Sequence, residues 1–420
     1  MKKSAFNIDT PKWLLQALSF ANQHETYCYL NPNNYQNGFN HLLAIGHHKK
    51  LETNELNAFE SLKQVHKEAS LPLFGYFSYD LKNQVEKLTS ENENHTNFPL
   101  LSFFEPTILL HFKQNNEVEI SAKSPQQVFN QISKTIPYQP NGIPNIDFNA
   151  RTNKNTYFKN FNSIKEHIVN GDIYELNYCI EFYSTNVTIN PLETYHALNK
   201  VSPTPFSSIY KSNNFSIIST SPERFIKKVN KKVISQPMKG TVKRSENPIE
   251  DIALKNQLIN SEKEKAENLM IVDLVRHDLT YYANKGTVAV DELFGIYSFP
   301  KVHQMISTIS IEVNHTISPI DIIQKAFPMG SMTGAPKIMA MKLIDQYEDY
   351  QRNIFSGALG YLTPDGDFDF NVLIRSLFHN NSTNYLSFSA GSAITFDANA
   401  EDEYNECLLK ANSVSQCFKK

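Results

Sequence analysis

The sequence predicts an α+β fold built on large antiparallel sheets, and two patterns carry that reading. Strand-like runs follow one another through short turns, as in residues 215–236 and 355–389. Helical patterns fall between such groups instead of after every strand, which argues against a doubly wound parallel sheet. Aromatic residues make up 12% of the chain, with 28 Phe and 20 Tyr, the large side chains that broad sheet surfaces need. At 420 residues the chain exceeds what one growing core accommodates, so one composite unit or two closely packed domains are expected.

Taken in order, the N-terminus faintly resembles an export signal, but its apolar stretch 13–21 is short, carries Gln16 and follows Pro11, so export is not expected. No run approaches the length of a membrane span, and a cytoplasmic protein is expected. Residues 73–79 and 100–112 read as strands separated by the polar loop 89–97. Three prolines and a glycine interrupt all regularity at 136–145, IPYQPNGIPN, which places a seam between an N-terminal segment 1–150 and a second segment 151–420. Residues 155–170 form an amphipathic helix closed by Gly171. Residues 215–236 alternate as two or three short strands around Ser221-Pro222 and Asn230-Lys231. Residues 251–282 are helix-rich, and 355–389 form a meander whose turns are TPDGD and HNNSTN. A helix over 401–413 ends the fold.

The 40 basic and 43 acidic residues leave a net charge of -3, which calls for neither nucleic acid nor an anionic membrane. Cys28, Cys179, Cys407 and Cys417 show no CxxC pair and no ligand spacing, as free thiols in a reducing compartment would.

Four groups of residues offer chemistry. Glu264 and Glu267, and again Glu403 and Glu406, lie three apart on predicted helices. Three residues advance a helix by about 300°, so each pair shares a face, with Lys410 on the second. Two such faces suit a hard cation such as Mg2+; a solvated surface reads the same way. The loop 328–337, PMGSMTGAPK, presents Ser331, Thr333 and two glycines before a helix. Free N–H groups at a helix start attract a carboxylate or phosphate, although a plain turn has the same composition. Lys239 follows Pro237 and precedes Gly240 at a strand end, and Glu223 follows Pro222. Against apolar walls a lysine pKa falls, which would free an amine for nucleophilic attack, with Glu223 as proton donor; a lone lysine is otherwise a surface residue. In the predicted strand 368–378, residues Phe368, Phe370, Val372, Ile374 and Phe378 share one face, while Arg375 joins Asp369 and Asn371 on the other. An arginine there is a fork for a carboxylate, with Tyr361 on the preceding strand.

The chain resembles the chorismate-utilising enzymes, a family that includes anthranilate, aminodeoxychorismate, isochorismate and salicylate synthases. The matching stretches are GDIYELN (171–177), SPERF (221–225), PMKGT (237–241), EKAENLMIVDLVRHDL (264–279), GSMTGAPK (330–337), SGALGY (356–361), FNVLIRS (370–376) and AGSAITFDANAEDEYNE (390–406). They run in the family's order through residues 155–413.

The resemblance implies a sandwich-like arrangement of sheets flanked by helices. It implies chorismate as substrate, Glu264, Glu267, Glu403 and Glu406 as a Mg2+ shell, and Arg375, Tyr361, Lys410, Gly391, Thr333, Gly334, Lys337 and His303 as substrate-binding residues. Glu223 is similar to the acid that protonates the departing C4 hydroxyl. Lysine in P-x-K-G-T is the aminodeoxychorismate synthase pattern, where anthranilate and isochorismate synthases usually carry alanine. The implied chemistry is attack of Lys239 at C2 of chorismate, then addition of ammonia at C4. Anthranilate synthesis is the alternative. No Cys/His/Glu glutaminase constellation is seen in this sequence, so ammonia is expected from a separate glutamine amidotransferase subunit or from solution.

Several positions depart from the pattern. Glu175 stands where the family's synthases have Gln and the isochorismate type has Lys, and its role is open. His277 replaces an Asn, and Ala393 a glycine. Residues 1–150 resemble the family only through FGYFSYD (74–80), and YCYLNPNNY (27–35) has no copy of the tryptophan-binding Leu-Leu-Glu-Ser motif.

Overall fold

Alternating side chains on long strands are what build this molecule. The computed structural model describes residues 1–419. Its strands form a 12-stranded and a 10-stranded sheet, and their ladders are antiparallel. The larger sheet runs from Lys2–Asn7 at one edge, through Thr26–Asn31 and Phe206–Ser212, to Tyr385–Ile394, Glu175–Ser184 and the short Gly334–Ala335. The smaller runs from Met238–Lys243 through Val302–Glu312, Arg224–Val229, Phe368–Val372 and Leu73–Phe77 to Lys49–Thr53. The α+β expectation and the two-sheet arrangement are both met.

Period-two alternation decides which core each residue joins. In Thr26–Asn31, Cys28 and Leu30 enter a core shared with the smaller sheet, while Tyr27 and Tyr29 enter a second core under the helices on the outer face. Segments 1–150 and 151–419 supply strands to both sheets, so the Pro-rich seam at 136–145 is an extended connection and not a gap between two cores. The four cysteines are unpaired. Among the described residues no helix is long and apolar enough to cross a membrane.

The chain passes between the sheets at points that alternation hides. The run 100–112 is two strands, Leu101–Glu105 in the smaller sheet and Ile108–Lys113 in the larger, parted at Pro106. The expected strand 368–378 divides in the same way into Phe368–Val372 and Ser376–Asn380, with Arg375 at φ 49 between them. A third crossing lies between Phe215–Ser221 and Arg224–Val229 and carries Glu223. Two of the crossings are tied together. Val372 N donates to the Glu223 carbonyl at 3.0 Å, and Thr220 N to that of Arg375 at 3.2 Å.

The helix-rich stretch 251–282 is two helices, Pro248–Asn260 and Glu262–Thr280. Ser261 ends the first and caps the second by accepting from Glu264 N at 3.3 Å, a junction already written as Ser-x-x-Glu.

Candidate active site

The site gathers where the edges of both sheets meet two helices. Glu175 opens the strand Glu175–Ser184 and pairs with Ala335, while Leu176 pairs with Gly334. At Gly334, φ is 148 and a Cβ would stand 2.1 Å from the Glu175 carbonyl oxygen, so only glycine lets the two backbones approach. Lys239 lies on the edge strand Met238–Lys243. Gly240 beside it has φ 97, and a Cβ there would be 3.0 Å from a Glu264 carboxylate oxygen, so this glycine admits the helix Glu262–Thr280. Asn268 of that helix fixes the lysine backbone by donating to the Lys239 carbonyl at 3.2 Å.

The Lys239 side chain is 13% exposed, and its walls are carboxylates. Its Nζ donates to Glu175 Oε1 at 2.7 Å and stands 3.7 Å from Glu267 Oε2. Burial depresses its pKa, but Glu175 and Glu267 outweigh burial and hold it above the ordinary lysine value. This corrects the expectation of a depressed pKa: apolar walls would have freed the amine, whereas acidic ones hold the ammonium.

Glu223 behaves as its turn predicts. It is 4% exposed, and its Oε1 accepts from Ser331 Oγ at 2.7 Å. Burial pushes its pKa up to about 7 against the opposing pull of Ser331, the Met238 N–H and Lys239. A carboxyl so poised keeps a proton to donate near neutral pH.

The four glutamates do face one another across two helices, Glu262–Thr280 and Ala400–Ser415. Lys263 Nζ lies 3.9 Å from both Glu267 and Glu403, and Lys410 lies 2.7 Å from Glu406 while donating to the Gly391 carbonyl at 3.0 Å. Burial raises the pKa of Glu267 to about 7, with Glu175 and Glu264 adding to it and Lys239 opposing. Glu264 and Glu403 are raised for the same first reason. Glu406 goes the other way, because Lys410 overcomes the effect of burial. Five carboxylates here, Glu175 included, answer to three lysines. A surplus of enclosed oxygen donors is the charge pattern that fits Mg2+. Among the described residues no three acidic or imidazole groups are already drawn together as a metal cluster, since the lysines stand between them.

The remaining expected residues divide. Arg375 sits on its crossing, with its guanidinium making no hydrogen bond or ion pair among the described residues; burial alone depresses its pKa. It does not share the face of Asp369 and Asn371, because the strand ends before it. Those two side chains are committed elsewhere, Asp369 to Arg224 at 2.9 Å and Asn371 to the Phe206 carbonyl at 3.1 Å. Tyr361 faces that Arg224–Asp369 pair, and its hydroxyl accepts from Asn40 at 2.6 Å; the structure does not bring it to Lys239. Lys337 is ion-paired with Asp278 and is not free for a ligand. Thr333 is buried, its N–H and hydroxyl spent on the Gly330 carbonyl, so the loop 328–337 is a packed edge and not an open cradle of N–H groups. His303 is enclosed by Ser298 at 2.8 Å and Asp251 at 3.1 Å.

Asn268, Asp278 and the hydrogen bond from Ser331 to Glu223 are not among the features expected from the sequence. Asn268 and Asp278 stand on the helix of the first glutamate pair, about one and four turns beyond Glu264, and Ser331 lies within the quoted loop.

A family profile described as chorismate binding enzyme matches residues 19–416. Aminodeoxychorismate synthase component 1 of Escherichia coli (strain K12) is 33% identical over 362 residues, which cover 82% of this chain and 76% of that protein. The protein of the same name from Klebsiella aerogenes is 32% identical over 343 residues, covering 81% and 75%. Among solved structures, anthranilate synthase component I from Streptococcus pneumoniae TIGR4 superposes with a TM-score of 0.79 at 23% identity, covering 89% of this chain and 91% of that one.

Proposed function

Because the chain belongs to the chorismate-binding enzymes, we propose that it is the chorismate-binding component of an aminodeoxychorismate synthase. In this reading it converts chorismate and ammonia to 4-amino-4-deoxychorismate for para-aminobenzoate and folate synthesis. The observation that carries the reading is Lys239: an amine held by carboxylates at a position where the family's members differ in chemistry, 2.7 Å from Glu175.

The roles follow from placement. Glu264, Glu267, Glu403 and Glu406 would hold Mg2+, which supplies a fixed positive charge for a substrate carboxylate. The unpaired Arg375 takes the second carboxylate as a bidentate fork. Lys239 attacks C2 of the ring after its ammonium yields a proton, for which Glu175 Oε1 is the adjacent acceptor. Glu223, protonated to about pH 7, delivers a proton to the departing C4 hydroxyl. Ammonia then bonds to C4 as the C2–Nζ bond breaks, and its electron pair returns to Lys239. The ammonia comes from a partner glutamine amidotransferase or from solution, in the cytoplasm.

The test is the product. The purified chain, given chorismate, Mg2+ and an ammonium salt, forms aminodeoxychorismate and releases no pyruvate. Fluorescent anthranilate appearing together with pyruvate would overturn the reading in favour of anthranilate synthesis.

A further inference from the structure

Two irregularities meet on one strand beside the site. Val302–Glu312 is flanked by Met238–Lys243 on one side and by Ala289–Ser298 on the other. Pairing with the first slips between Met238 and Thr241, so that Lys239 and Gly240 together oppose Met305. Pairing with the second slips between Glu292 and Gly295, so that Leu293 and Phe294 oppose Ser307. Each slip is a bulge, an extra residue that leaves the ladder and re-aims the chain. Phe294 takes φ 58 to make its bulge, a left-handed conformation that a large aromatic residue adopts only under constraint. Such strain persists where the surrounding structure enforces it, and it clusters at functional sites.

The two bulges are joined by a single chain of hydrogen bonds. Phe294 N donates to Ser307 Oγ at 3.1 Å, Ser307 Oγ donates to Asn268 Oδ1 at 2.6 Å, and Asn268 Nδ2 donates to the Lys239 carbonyl at 3.2 Å. Its direction is fixed at both ends, because a backbone N–H only donates and a carbonyl only accepts. With Phe294 N–H supplying one proton, the Ser307 hydroxyl turns its own toward Asn268. That bond holds the amide with its oxygen toward Ser307 and its NH2 toward Lys239. Reversed, the amide would set oxygen against oxygen at the lysine carbonyl. Ser307 is 0% and Asn268 1% exposed, so the chain runs out of reach of solvent, where each hydrogen bond strengthens the next.

On the function proposed above, which makes Lys239 the attacking amine, we propose that Ser307 and Asn268 are positioning residues for that amine. Both act through the lysine and not on the substrate. They hold the backbone that carries it where the ladder slips, while Glu267, the residue before Asn268, stands 3.7 Å from its Nζ. One helix thereby fixes the lysine at its backbone and at its nitrogen.

The experiment is turnover of the full chain with Mg2+ and ammonium chloride, varying chorismate, for the unaltered protein, Ser307→Ala, Asn268→Ala and the double variant, with melting temperatures read alongside. A misplacement on the order of 1 Å lowers a rate by about 100-fold. Each single variant should therefore lose about 10- to 100-fold in kcat, while half-saturating chorismate stays within about twofold. Because the two side chains belong to one chain, the double variant should fall no further than the less active single variant; independent supports would multiply. Ser307→Ala removes one oxygen atom and carries the test alone should Asn268→Ala fail to fold. An unchanged kcat in Ser307→Ala, a loss confined to half-saturating chorismate, or multiplied losses would each overturn the relay. No aminodeoxychorismate from the unaltered chain would overturn the reaction itself, and with it the role that rests on it.

Discussion

Two clusters of buried charge in this molecule have the same ingredients and opposite balances. In the first, Arg352 donates to both oxygens of Glu348 at 2.6 and 2.8 Å, to the Met332 carbonyl at 2.6 Å and to that of Asn177 at 2.8 Å. Glu348 in turn accepts from Cys179 N at 2.9 Å. One base meets one acid, and each oxygen has a donor. In the second, around Lys239, the carboxylates outnumber the lysines and Glu175 Oε2 has no donor among the described residues. Burial does not tell them apart; completeness does. The satisfied cluster locks the loop 328–337 onto the strand that Glu175 begins, and the unsatisfied one stands ready for groups that come from outside.

Removing one residue from each cluster gives the sharpest contrast. Lys239→Ala should lower aminodeoxychorismate formation by roughly 1,000-fold or more while the chain still folds, read from turnover alongside circular dichroism. An unchanged rate would break the assignment of the nucleophile. Arg352→Met should do the reverse, costing about 3–5 kcal/mol of stability in urea denaturation by leaving Glu348 buried without its partner. If that variant unfolded at the same urea concentration as the unaltered chain, the satisfied cluster would not be structural.

Glu223 borders the unsatisfied cluster, and its pH dependence has a definite sign. Its pKa is raised to about 7, so the carboxyl is protonated below that value and able to act as an acid. Turnover should therefore decline as pH rises through about 7, and Glu223→Gln should lose that limb along with about 100-fold in rate. Stability moves the same way. A raised folded pKa gives a contribution fully present below the unfolded value and lost as pH climbs through the folded one. Melting temperature should thus fall between roughly pH 4.5 and 7 by more in the unaltered chain than in Glu223→Gln. Parallel profiles would remove the acid role.

What the sequence disclosed follows the range of the signal. Helices and hairpins are local, and the helix Lys154–Val169, the strands at 215–236 and the closing helix Ala400–Ser415 lie where their patterns place them. Glutamate pairing across helices was visible as spacing and is present as geometry. The crossings between sheets were not legible, because a strand that ends and resumes in another sheet keeps its apolar alternation; Val372 and Phe378 are both buried although they belong to different sheets. Alternation accordingly places Arg375 on the wrong face. The direction of the Lys239 pKa escapes the sequence for a related reason: burial follows from the strand, but Glu175 lies 64 positions away and Glu267 on another element, so the nature of the walls is not local information.

The smallest predicted effect bears most directly on the surplus of carboxylates. Lys263 is 52% exposed and reaches Glu267 and Glu403 at 3.9 Å each, a distance at which a half-exposed pair contributes little. Lys263→Met should therefore change stability by no more than about 0.5 kcal/mol in the absence of divalent ions. The same lysine places a positive charge between two of the proposed Mg2+ ligands. Its removal should tighten Mg2+ binding about two- to fivefold, measured as the ion concentration that raises the melting temperature halfway. A weaker Mg2+ response would mean that Lys263 organises the glutamates and does not compete for them. In that case the excess negative charge is already answered from within the chain, and the distinction between the two clusters would narrow to the single unpartnered oxygen of Glu175.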